Sequence, residues 1–208
     1  MNPKHIVRHG YDLVSHAYRS DAQTDPSPFY AKWIARLVAD AGPHPRMLDL
    51  GCGCGTPVAQ ALAAHGSVTG VDISPVQIER ARRAVPHAEF LCADMSSLQF
   101  PDHSFDAVLS FYAIIHVPLD EQPGLLRQIA HWLRPGGVFV ATLGSGLWTG
   151  TEPDWLGVAG AQMYWSHADP QTYRSWLAAA GMTVVEDEYV PEDGGTAGHQ
   201  LFYARRDG

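Results

Sequence analysis

The sequence feature that most constrains the fold is a glycine-rich turn, LDLGCGCGTP, at residues 48–57. The apolar run Met47–Leu50 predicts a buried strand, and residues 58–64 have helical composition. Glycines let the backbone bend sharply and leave no Cβ between the turn and a ligand. The first turn of the helix supplies unpaired N–H groups and a partial positive charge. The turn therefore predicts a nucleotide-like ligand; the alternative is a tight turn with no ligand.

The spacing of the glycines indicates which kind of nucleotide fits. A dinucleotide fingerprint, G-x-G-x-x-G, has its third glycine three residues after the second. Here Thr56 occupies that position, and Gly55 comes one residue early. Asp49 lies two residues before Gly51, where a pyrophosphate would meet a like charge and an ammonium group an opposite one. S-adenosylmethionine (SAM), which carries an amino acid and an adenosine but no phosphate, fits this pattern better.

Two further predicted strands also end near an acidic residue. Asp72 lies about 20 residues beyond the glycine turn, the spacing expected of a carboxylate that binds ribose hydroxyls. Ser74-Pro75 then predicts the start of a helix. The next strand ends near Asp94, whose carboxylate is able to accept a hydrogen bond from an adenine amino group. Met95 follows with an apolar side chain able to cover the adenine ring.

The sequence resembles the class I SAM-dependent methyltransferases of the compact small-molecule type. The matching segments are LDLGCGCG, GVDIS, ADM, FDAVLSFYAIIHV and LRPGGVFVAT, between residues 46 and 142. Each segment lies at a predicted strand end, and the segments come in the order found in the family. The resemblance implies methyl transfer from SAM, with S-adenosylhomocysteine (SAH) as the second product.

The alternation of predicted strands and helices after residue 46 indicates an α/β, doubly wound, mostly parallel sheet. Two further strands, 183–190 and 200–205, are joined by a link too short for a crossover helix, so they predict a C-terminal antiparallel hairpin. With the resemblance, the expected order of seven strands is 3-2-1-4-5-7-6. Residues 1–208 are expected to form a single domain, with an N-terminal helical lid (1–42) and an aromatic loop (143–168) over the active site.

Composition excludes several classes of partner. The 208 residues are 46% hydrophobic and carry a formal net charge of −8, which argues against a nucleic-acid partner. No apolar run is long enough to span a membrane, and the first residues lack the apolar core of a signal peptide, so we expect a cytoplasmic protein. Cys52, Cys54 and Cys92 offer neither a disulfide framework nor zinc-ligand spacing, so no metal is expected. The expected partner is a small-molecule methyl acceptor, and the expected state a monomer or homodimer.

The resemblance also implies a set of cofactor contacts. In the family, a tyrosine near Tyr18 covers the methionine end of SAM, and a side chain near Gln77 reaches the ribose. The arginines of that helix, Arg80, Arg82 and Arg83, are expected to face solvent. The expected cofactor-binding residues are Tyr18, Asp49, Gly51, Cys52, Gly53, Asp72, Ile73, Gln77, Asp94, Met95, Ser110 and Phe111.

The Gly- and Trp-rich segment 143–168 shows neither strand nor helix period, which predicts a long functional loop. After the fifth strand, it would fold over the carboxyl edge of the sheet, where open α/β folds bind ligands. Its large aromatic residues predict one wall of an acceptor pocket; the alternative is an apolar cluster that only anchors the loop. The expected substrate-binding residues are Tyr11, Trp148, Trp155, Tyr164 and Trp165, with core packing as the alternative for Tyr11.

Methyl transfer is an in-line displacement that depends on positioning, so a general base is optional. His116 is one candidate base because it follows the fourth strand, although in the family this position often only packs or contacts cofactor. His167, in the aromatic loop, is the other. His199 and Asp169 are weaker candidates, and Asp169 is most simply a helix N-cap. The acidic residues 186–188 and 192–193 are expected to face solvent.

These patterns predict an enzyme that methylates an oxygen or nitrogen atom, or less readily a sulfur atom, of a small aromatic or heterocyclic molecule. One alternative is a SAM-binding protein without catalysis, and another is an NAD-dependent oxidoreductase, against which the early third glycine and the terminal hairpin argue. A methyltransferase that acts on protein is also open. The sequence does not identify the acceptor, the oligomeric state or the pathway.

Overall fold

The centre of the fold is a sheet of buried, apolar strands that lies between two layers of helices. The computed structural model describes residues 2–191 and 198–208. Its helices are α1 (Pro3–Tyr18), α2 (Pro28–Ala41), α3 (Val58–Ala63), α4 (Pro75–Ala84), α5 (Gln122–Trp132) and α6 (Pro170–Ala179). Its strands are β1 (Arg46–Leu50), β2 (Ser67–Asp72), β3 (Glu89–Cys92), β4 (Phe105–Ser110), β5 (Leu133–Gly144), β6 (Trp148–Glu152), β7 (Met163–His167), β8 (Met182–Pro191) and β9 (Gly198–Arg206).

Seven strands form the main sheet in the order β3-β2-β1-β4-β5-β9-β8. Strands β1 to β5 pair in parallel, whereas β9 is antiparallel to both β5 and β8. Because β6 and β7 lie outside this sheet, the order is 3-2-1-4-5-7-6 when its seven strands are numbered on their own. The predicted doubly wound α/β fold with an antiparallel terminal hairpin is confirmed. The parallel strands bring their carboxyl ends to one edge, where such folds bind ligands.

The two helical layers bury opposite faces of the sheet. Helices α2, α3 and α4 pack Trp33, Leu62 and Ile78 against one face, and all three side chains are almost fully buried. Helices α5 and α6 pack Leu126 and Tyr173 against the other face. Strands with two covered faces need apolar residues at successive positions, which explains the continuous apolar runs in the sequence. The fold therefore holds the carboxyl edge rigidly.

Residues 143–168 are structured, so the prediction of a structureless loop is wrong. β5 extends to Gly144, and β6 and β7 form a separate antiparallel two-stranded sheet. Met163 of β7 is buried and the next two residues, Tyr164 and Trp165, are partly buried in the same apolar cluster as Val14 of α1. Because adjacent residues on both faces of β7 are large and apolar, the alternation typical of a half-exposed strand is missing from the sequence.

The acidic residues 186–188 lie on β8 and form ion pairs, so they are not simply exposed to solvent. Glu186 and Glu188 pair with Arg36 and Lys32 of α2. Asp187, which points to the other face of the strand, pairs with Arg174 of α6. The period of two along β8 thus divides its acidic residues between the two helical layers. Residues 192–193, for which solvent exposure was also expected, lie outside the described residues.

Serine and aspartate residues begin two of the predicted helices as expected. The Oγ of Ser74 accepts a hydrogen bond from the backbone N–H of Gln77 at the start of α4 (3.1 Å). Asp169 Oδ1 accepts one from the backbone N–H of Thr172 at the start of α6 (2.9 Å). Asp169 is therefore an N-cap, and this prediction is confirmed.

Arg80 of α4 is buried and donates hydrogen bonds to the C-terminal end of α1. The prediction that Arg80 faces solvent is therefore wrong. Its Nη1 donates to the backbone oxygen of Ser15 (2.6 Å). Its Nη2 donates to the backbone oxygen of Arg19 (2.7 Å) and to Asp21 Oδ1 (2.6 Å). Arg80 therefore satisfies carbonyl groups that the end of a helix leaves without intrahelical partners.

We expect Arg80→Ala to lower the free energy of unfolding by about 2 kcal/mol, because buried carbonyl groups would lose a charged donor. Hydrogen exchange of α1 should accelerate relative to the sheet. Arg83→Ala is the matched control, since the Arg83 side chain is 72% exposed and forms an ion pair along its own helix with Glu79. Chemical denaturation and exchange mass spectrometry measure both effects. Equal losses in the two variants would contradict the role of Arg80.

Candidate active site

The carboxyl ends of β1, β2, β3 and β4 surround a partly open cavity, whose empty volume is about 650 Å³ when the solvent at its mouth is included. Helix α1 lies over it and contributes four of its lining residues, Lys4, Val7, Tyr11 and Tyr18. The remaining lining residues come from the ends of these strands and the segments that follow them: Gly51, Gly53, Asp72, Ile73, Gln77, Ala93, Asp94, Met95, Phe111, Tyr112, Ala113, His116 and Val117.

The first two glycines of the turn serve different purposes. Gly51 has a φ of 81°, and a Cβ there would lie 2.1 Å from the Cβ of Ala113. Glycine at this position therefore lets the turn approach the segment after β4. Gly53 has a φ of 53°, and a Cβ there would meet no described atom within 4 Å. Only Gly53 leaves open space on the side of the turn that a ligand would occupy.

Asp72, at the end of β2, is held in place by two backbone amides. Its Oδ2 accepts from Gly53 N and its Oδ1 from Ser74 N, both at 2.9 Å. Burial raises the pKa of Asp72 to about 6, although these hydrogen bonds act to lower it. Each carboxylate oxygen keeps a lone pair for a further donor. Asp72 is therefore oriented to accept hydrogen bonds from hydroxyl groups in the cavity.

Asp49 faces an adjoining cleft, which shares Tyr18, Gly51, Gly53 and Phe111 with the cavity. The residue is only 2% exposed, and its Oδ2 has no hydrogen-bond partner among the described residues. Burial, followed by the charge of Asp72, raises the pKa of Asp49 to about 8. A buried carboxyl group without a partner is costly. This side chain fits a cationic group such as an ammonium.

Asp94 lines the cavity, but other residues already use both of its carboxylate oxygens. Oδ1 accepts from the backbone N–H and the hydroxyl of Ser96 (3.0 and 2.9 Å). Oδ2 accepts from Lys4 Nζ (2.7 Å) and Ser97 Oγ (3.0 Å). Burial acts to raise the pKa of Asp94, but the hydrogen bonds from Lys4 and Ser96 outweigh this effect, so the pKa lies below its usual value. A carboxylate has about four acceptor positions, so a new donor must displace one of these bonds.

Lys4 ties the first turn of α1 to two acidic groups. Besides Asp94, its Nζ donates to Glu121 Oε2 (2.5 Å) and to the hydroxyl of Ser96 (2.7 Å). Burial acts to lower the pKa of Lys4, but the hydrogen bonds to Asp94 and Glu121 raise it above its usual value. Lys4 thus stays charged and holds α1 over one end of the cavity.

His116 and Tyr11 form a buried hydrogen-bonded pair. His116 Nδ1 lies 2.7 Å from the backbone oxygen of Tyr164, and its Nε2 lies 3.0 Å from the hydroxyl of Tyr11. Because a carbonyl oxygen only accepts, Nδ1 carries the hydrogen and Nε2 accepts from Tyr11. Burial lowers the pKa of His116 to about 4, so the imidazole is neutral near pH 7.

Aromatic rings from α1 and from the β6–β7 segment close the cavity on the side of Tyr11. Tyr11 makes edge contacts with Tyr18 and Trp155, at centroid distances of 5.6 and 5.4 Å. Trp165 packs on the ring of His116 at 4.4 Å and on Trp155 at 5.8 Å. Edge-to-face contacts of this kind stabilise a fixed arrangement of rings. Tyr11 and His116 therefore belong to one packed aromatic layer.

His167 and Trp148 lie in a separate groove, not in the cavity. The groove is also lined by Trp155 and Trp165, and His167 Nδ1 lies 2.5 Å from the backbone oxygen of Gly146. The packed layer that contains Trp155 and Trp165 therefore stands between His167 and the cavity. Residue His167, expected as a base, is not placed where it could contact a ligand bound at Asp72.

The structure brings most of the expected cofactor-binding residues together. Tyr18, Gly51, Gly53, Asp72, Ile73, Gln77, Asp94, Met95 and Phe111 line the cavity, and Asp49 and Cys52 line the adjoining cleft. Ser110 does not belong to this set, because it is fully buried and its Oγ donates to the backbone oxygen of Leu50 (2.8 Å). Ser110 instead joins β4 to β1.

The expected substrate-binding residues are divided. Tyr11 lines the cavity, and Trp155 and Trp165 contact residues that line it. Tyr164 reaches His116 only through its backbone oxygen, and its side chain packs in the cluster with α1. The side chain of Trp148 is 46% exposed at the separate groove.

Sequence reasoning missed the lining residues Lys4, Val7, Ala93, Tyr112, Ala113 and Val117. Extending the strand-end rule by two residues past Phe111 would have found Tyr112 and Ala113. No local pattern marks Lys4, because its partner Asp94 lies 90 positions away. Tyr112 has a φ of 56°, an uncommon conformation for a residue with a side chain, and its ring contacts His199 at 5.0 Å.

Residues 2–191 and 198–208 contain no group of three or more histidine, cysteine or acidic residues able to hold a metal ion. They also contain no helix with the length and apolar character needed to cross a membrane.

Comparisons with known proteins agree with this geometry. Residues 47–137 match the model of a methyltransferase domain family. A solved structure of the 1,6-didemethyltoxoflavin-N1-methyltransferase of Burkholderia thailandensis, with bound 1,6-didemethyltoxoflavin and SAH, superposes with a TM-score of 0.74 at 24% identity. That superposition covers 98% of this chain and 88% of the other. Residues 47–137 are thus similar to a methyltransferase domain, and the chain shares the fold of this SAH-bound structure.

Other methyltransferases are more similar to this chain in sequence. The sterol 24-C-methyltransferase of Aspergillus fumigatus is 37% identical over 155 residues, which are 64% of this chain and 40% of that protein. The 27-O-demethylrifamycin SV methyltransferase of Amycolatopsis mediterranei is 40% identical over 138 residues, which are 63% of this chain and 48% of that protein. The matches thus span less than half the length of these two relatives.

Because the pKa of Asp49 is raised, we expect the stability of the ligand-free protein to depend on pH. Because the folded pKa exceeds the unfolded value, this residue favours the folded state at low pH, and the contribution is lost as the pH rises from about 4 to about 8. Asp49→Asn removes the dependence. We therefore expect the variant to gain stability relative to the parent protein by up to about 1.4 kcal/mol per pH unit in this range.

Denaturation of ligand-free protein at several pH values measures the difference. Asp102→Asn is the matched control, because Asp102 is exposed and its variant should track the parent protein at every pH. A difference between Asp49→Asn and the parent that stays constant from pH 4 to 8 would contradict the buried, unpartnered state of Asp49.

Proposed function

We propose that this protein is an enzyme that transfers the methyl group of SAM to an oxygen or nitrogen atom of a small aromatic or heterocyclic molecule. The observation that carries the proposal is the buried Asp49 carboxyl group, whose Oδ2 has no described partner beside a glycine turn and Asp72. The ammonium and the ribose diol of SAM suit these two acids. A pyrophosphate suits neither of them.

The residues present fit this cofactor. Asp49 and Tyr18 would hold the methionine end, and Asp72 and Gln77 the ribose. Gln77 is almost fully buried, and its Oε1 already accepts from Ser15 Oγ (2.9 Å). Its amide nitrogen would therefore donate a hydrogen bond to the ribose. Ile73, Met95 and the cavity face of Asp94 would surround the adenine.

The bound cofactor supplies an activated methyl group on a sulfonium sulfur. The protein's part is to orient the acceptor in line with that methyl group and to keep water away. Helix α1 covers the cavity, and the rings of Tyr11, Trp155 and Trp165 close one side of it. We propose residues 1–42 as a lid and residues 143–168 as a cover on the acceptor side. His116, neutral near pH 7, is the proposed base.

The acceptor class rests on the aromatic residues that line the cavity. Flat rings bind well against Tyr11, Phe111 and Tyr112 because aromatic surfaces stack with little loss of conformational entropy. The relatives include a sterol 24-C-methyltransferase and a 27-O-demethylrifamycin SV methyltransferase, so their names alone do not choose among carbon, oxygen and nitrogen. We expect a cytoplasmic enzyme, as a monomer or homodimer, without a nucleic-acid partner.

Calorimetric titration with SAH tests the cofactor site. At pH 7 the Asp49 carboxyl group is mainly protonated, and a bound ammonium would lower its pKa, so binding should release roughly one proton. The heat of binding should therefore depend on the ionisation enthalpy of the buffer. We expect Asp49→Asn to remove this dependence and to weaken binding by about 100-fold.

The control for this titration is Asp102→Asn, which should bind SAH as the parent protein does. Titration with NAD⁺ tests the oxidoreductase alternative. Heat with NAD⁺ and none with SAH would overturn the proposed cofactor.

A methylation assay tests the activity itself. Radiolabelled SAM is incubated with a panel of phenols, aromatic carboxylic acids and heteroaromatic amines, and transferred label is counted. We expect label on at least one panel member, and none when Asp72→Ala replaces the parent protein. Tight SAH binding without label on any member would favour a SAM-binding protein without catalysis.

A further inference from the structure

The hydrogen of the Tyr11 hydroxyl is committed to His116. The backbone oxygen of Tyr164 fixes the hydrogen of the imidazole on Nδ1, so Nε2 has only a lone pair to offer. At 3.0 Å, Tyr11 must therefore be the donor in its bond to Nε2. The two lone pairs of the Tyr11 oxygen remain, and Tyr11 lines the cavity. Toward a molecule bound in the cavity, Tyr11 acts only as a hydrogen-bond acceptor.

The rings around the pair leave it little freedom to rearrange. The His116 ring lies between Trp165, at a centroid distance of 4.4 Å, and Tyr11, at 5.4 Å. Tyr11 is also flanked by Tyr18 and Trp155. His116 is 5% exposed, so water does not compete freely for its Nε2. The Tyr11 hydroxyl thus occupies the lone pair of His116 Nε2, and an acceptor reaches that lone pair only through Tyr11.

We propose that Tyr11 receives the proton of the methyl acceptor and passes its own hydroxyl proton to His116. This inference rests on the proposed function and assigns the contact with substrate to Tyr11 instead of His116. His116 then becomes a positioning residue that fixes the direction of the Tyr11 hydroxyl and takes the proton at the end of the chain.

The step balances in atoms and charge. The acceptor oxygen forms a bond to the methyl carbon, and the carbon–sulfur bond breaks with its electron pair remaining on sulfur. The acceptor's proton moves to the Tyr11 oxygen while the Tyr11 proton moves to His116 Nε2. The products are a methyl ether, a neutral thioether, unchanged Tyr11 and a protonated His116.

Removal of the sulfonium charge favours this transfer. Burial opposes a charged imidazole, and a sulfonium cation nearby opposes it further. When the methyl group leaves, that cation disappears, so one positive charge replaces another within the same buried region. The ionisable groups whose charges act on the pair are Tyr18, Tyr30 and Asp72 for Tyr11, and His167 and His199 for His116.

The arrangement also selects the acceptor. A hydroxyl or an N–H group donates a hydrogen bond to the Tyr11 oxygen, which places the nucleophilic atom before transfer. A group that carries no hydrogen to donate finds an unsatisfied acceptor there, which disfavours its binding. The pair therefore favours acceptors with an O–H or N–H at the reacting atom.

Comparing two phenols at pH 8 tests proton transfer directly. Phenol keeps its proton at this pH, whereas 4-nitrophenol is ionised. We expect Tyr11→Phe, which keeps the ring and its packing, to lower kcat for phenol by about 10²–10⁴-fold. For 4-nitrophenol, which needs no base, the loss should stay below about tenfold. Equal losses with both phenols would overturn the proposal, because a purely structural defect does not distinguish them.

Two further variants complete the kinetic experiment. Tyr189→Phe is the matched control, since Tyr189 is 48% exposed on β8, and it should leave kcat unchanged for both phenols. The double variant Tyr11→Phe/His116→Gln should lose no more phenol activity than the more impaired single variant, because the two residues act as one chain. Additive losses would overturn the assignment.

Nitrogen NMR of ¹⁵N-histidine-labelled protein with SAH tests the pair without any acceptor. We expect His116 to be neutral at pH 7 with its hydrogen on Nδ1, and its Nε2 signal to shift in Tyr11→Phe, where it loses its donor. A hydrogen on Nε2 would overturn the proposal, because Tyr11 could then not donate there. If neither phenol is methylated while these spectra are as expected, the acceptor class of the proposed function fails and the hydrogen-bonded pair stands.

Discussion

The structure depends on the pair of hydrogen bonds that backbone amides make to Asp72. One amide belongs to Gly53 in the turn after β1, and the other to Ser74 after β2. These bonds fix the glycine turn relative to the end of the neighbouring strand and keep a carboxyl group oriented in a buried place. Asp49 is buried nearby, its Oδ2 has no partner among the described residues, and the charge of Asp72 raises its pKa. The carboxyl edge is built to receive a molecule with a cation at one end.

The other half of the site comes from segments outside the parallel sheet. Helix α1 supplies the roof of the cavity, and it is held at its end by Arg80 and at its beginning by Lys4. The β6–β7 segment adds Trp155 and Trp165, which pack on Tyr11 and His116. The residues proposed for proton transfer therefore meet only when all three parts are in place, whereas the cofactor contacts lie largely on the sheet.

The parts of the structure that the sequence could predict are those with local signals. Apolar runs, glycines and acids at strand ends predicted a doubly wound sheet with Asp49 and Asp72 at one edge, and the resemblance to the family added the strand order. The β6–β7 strands escaped prediction because apolar residues cover both faces of β7. Contacts between distant positions had no signal: Tyr11 and His116 are 105 residues apart, and Arg80 looked like one more arginine on a solvated helix. Ser110 and His167 were placed by family order and by composition, which do not show where a side chain points.

The hydrogen bonds of Lys4 and Arg80, which hold the two ends of α1, differ in their access to water. The side chain of Lys4 is 21% exposed and that of Glu121 36%, whereas the side chain of Arg80 is 7% exposed. Dissolved ions weaken attraction between accessible charges much more than between buried ones. Rising ionic strength therefore loosens the first turn of α1 before its last turn, and the cavity opens beside Lys4 and Asp94 before it opens beside Tyr18.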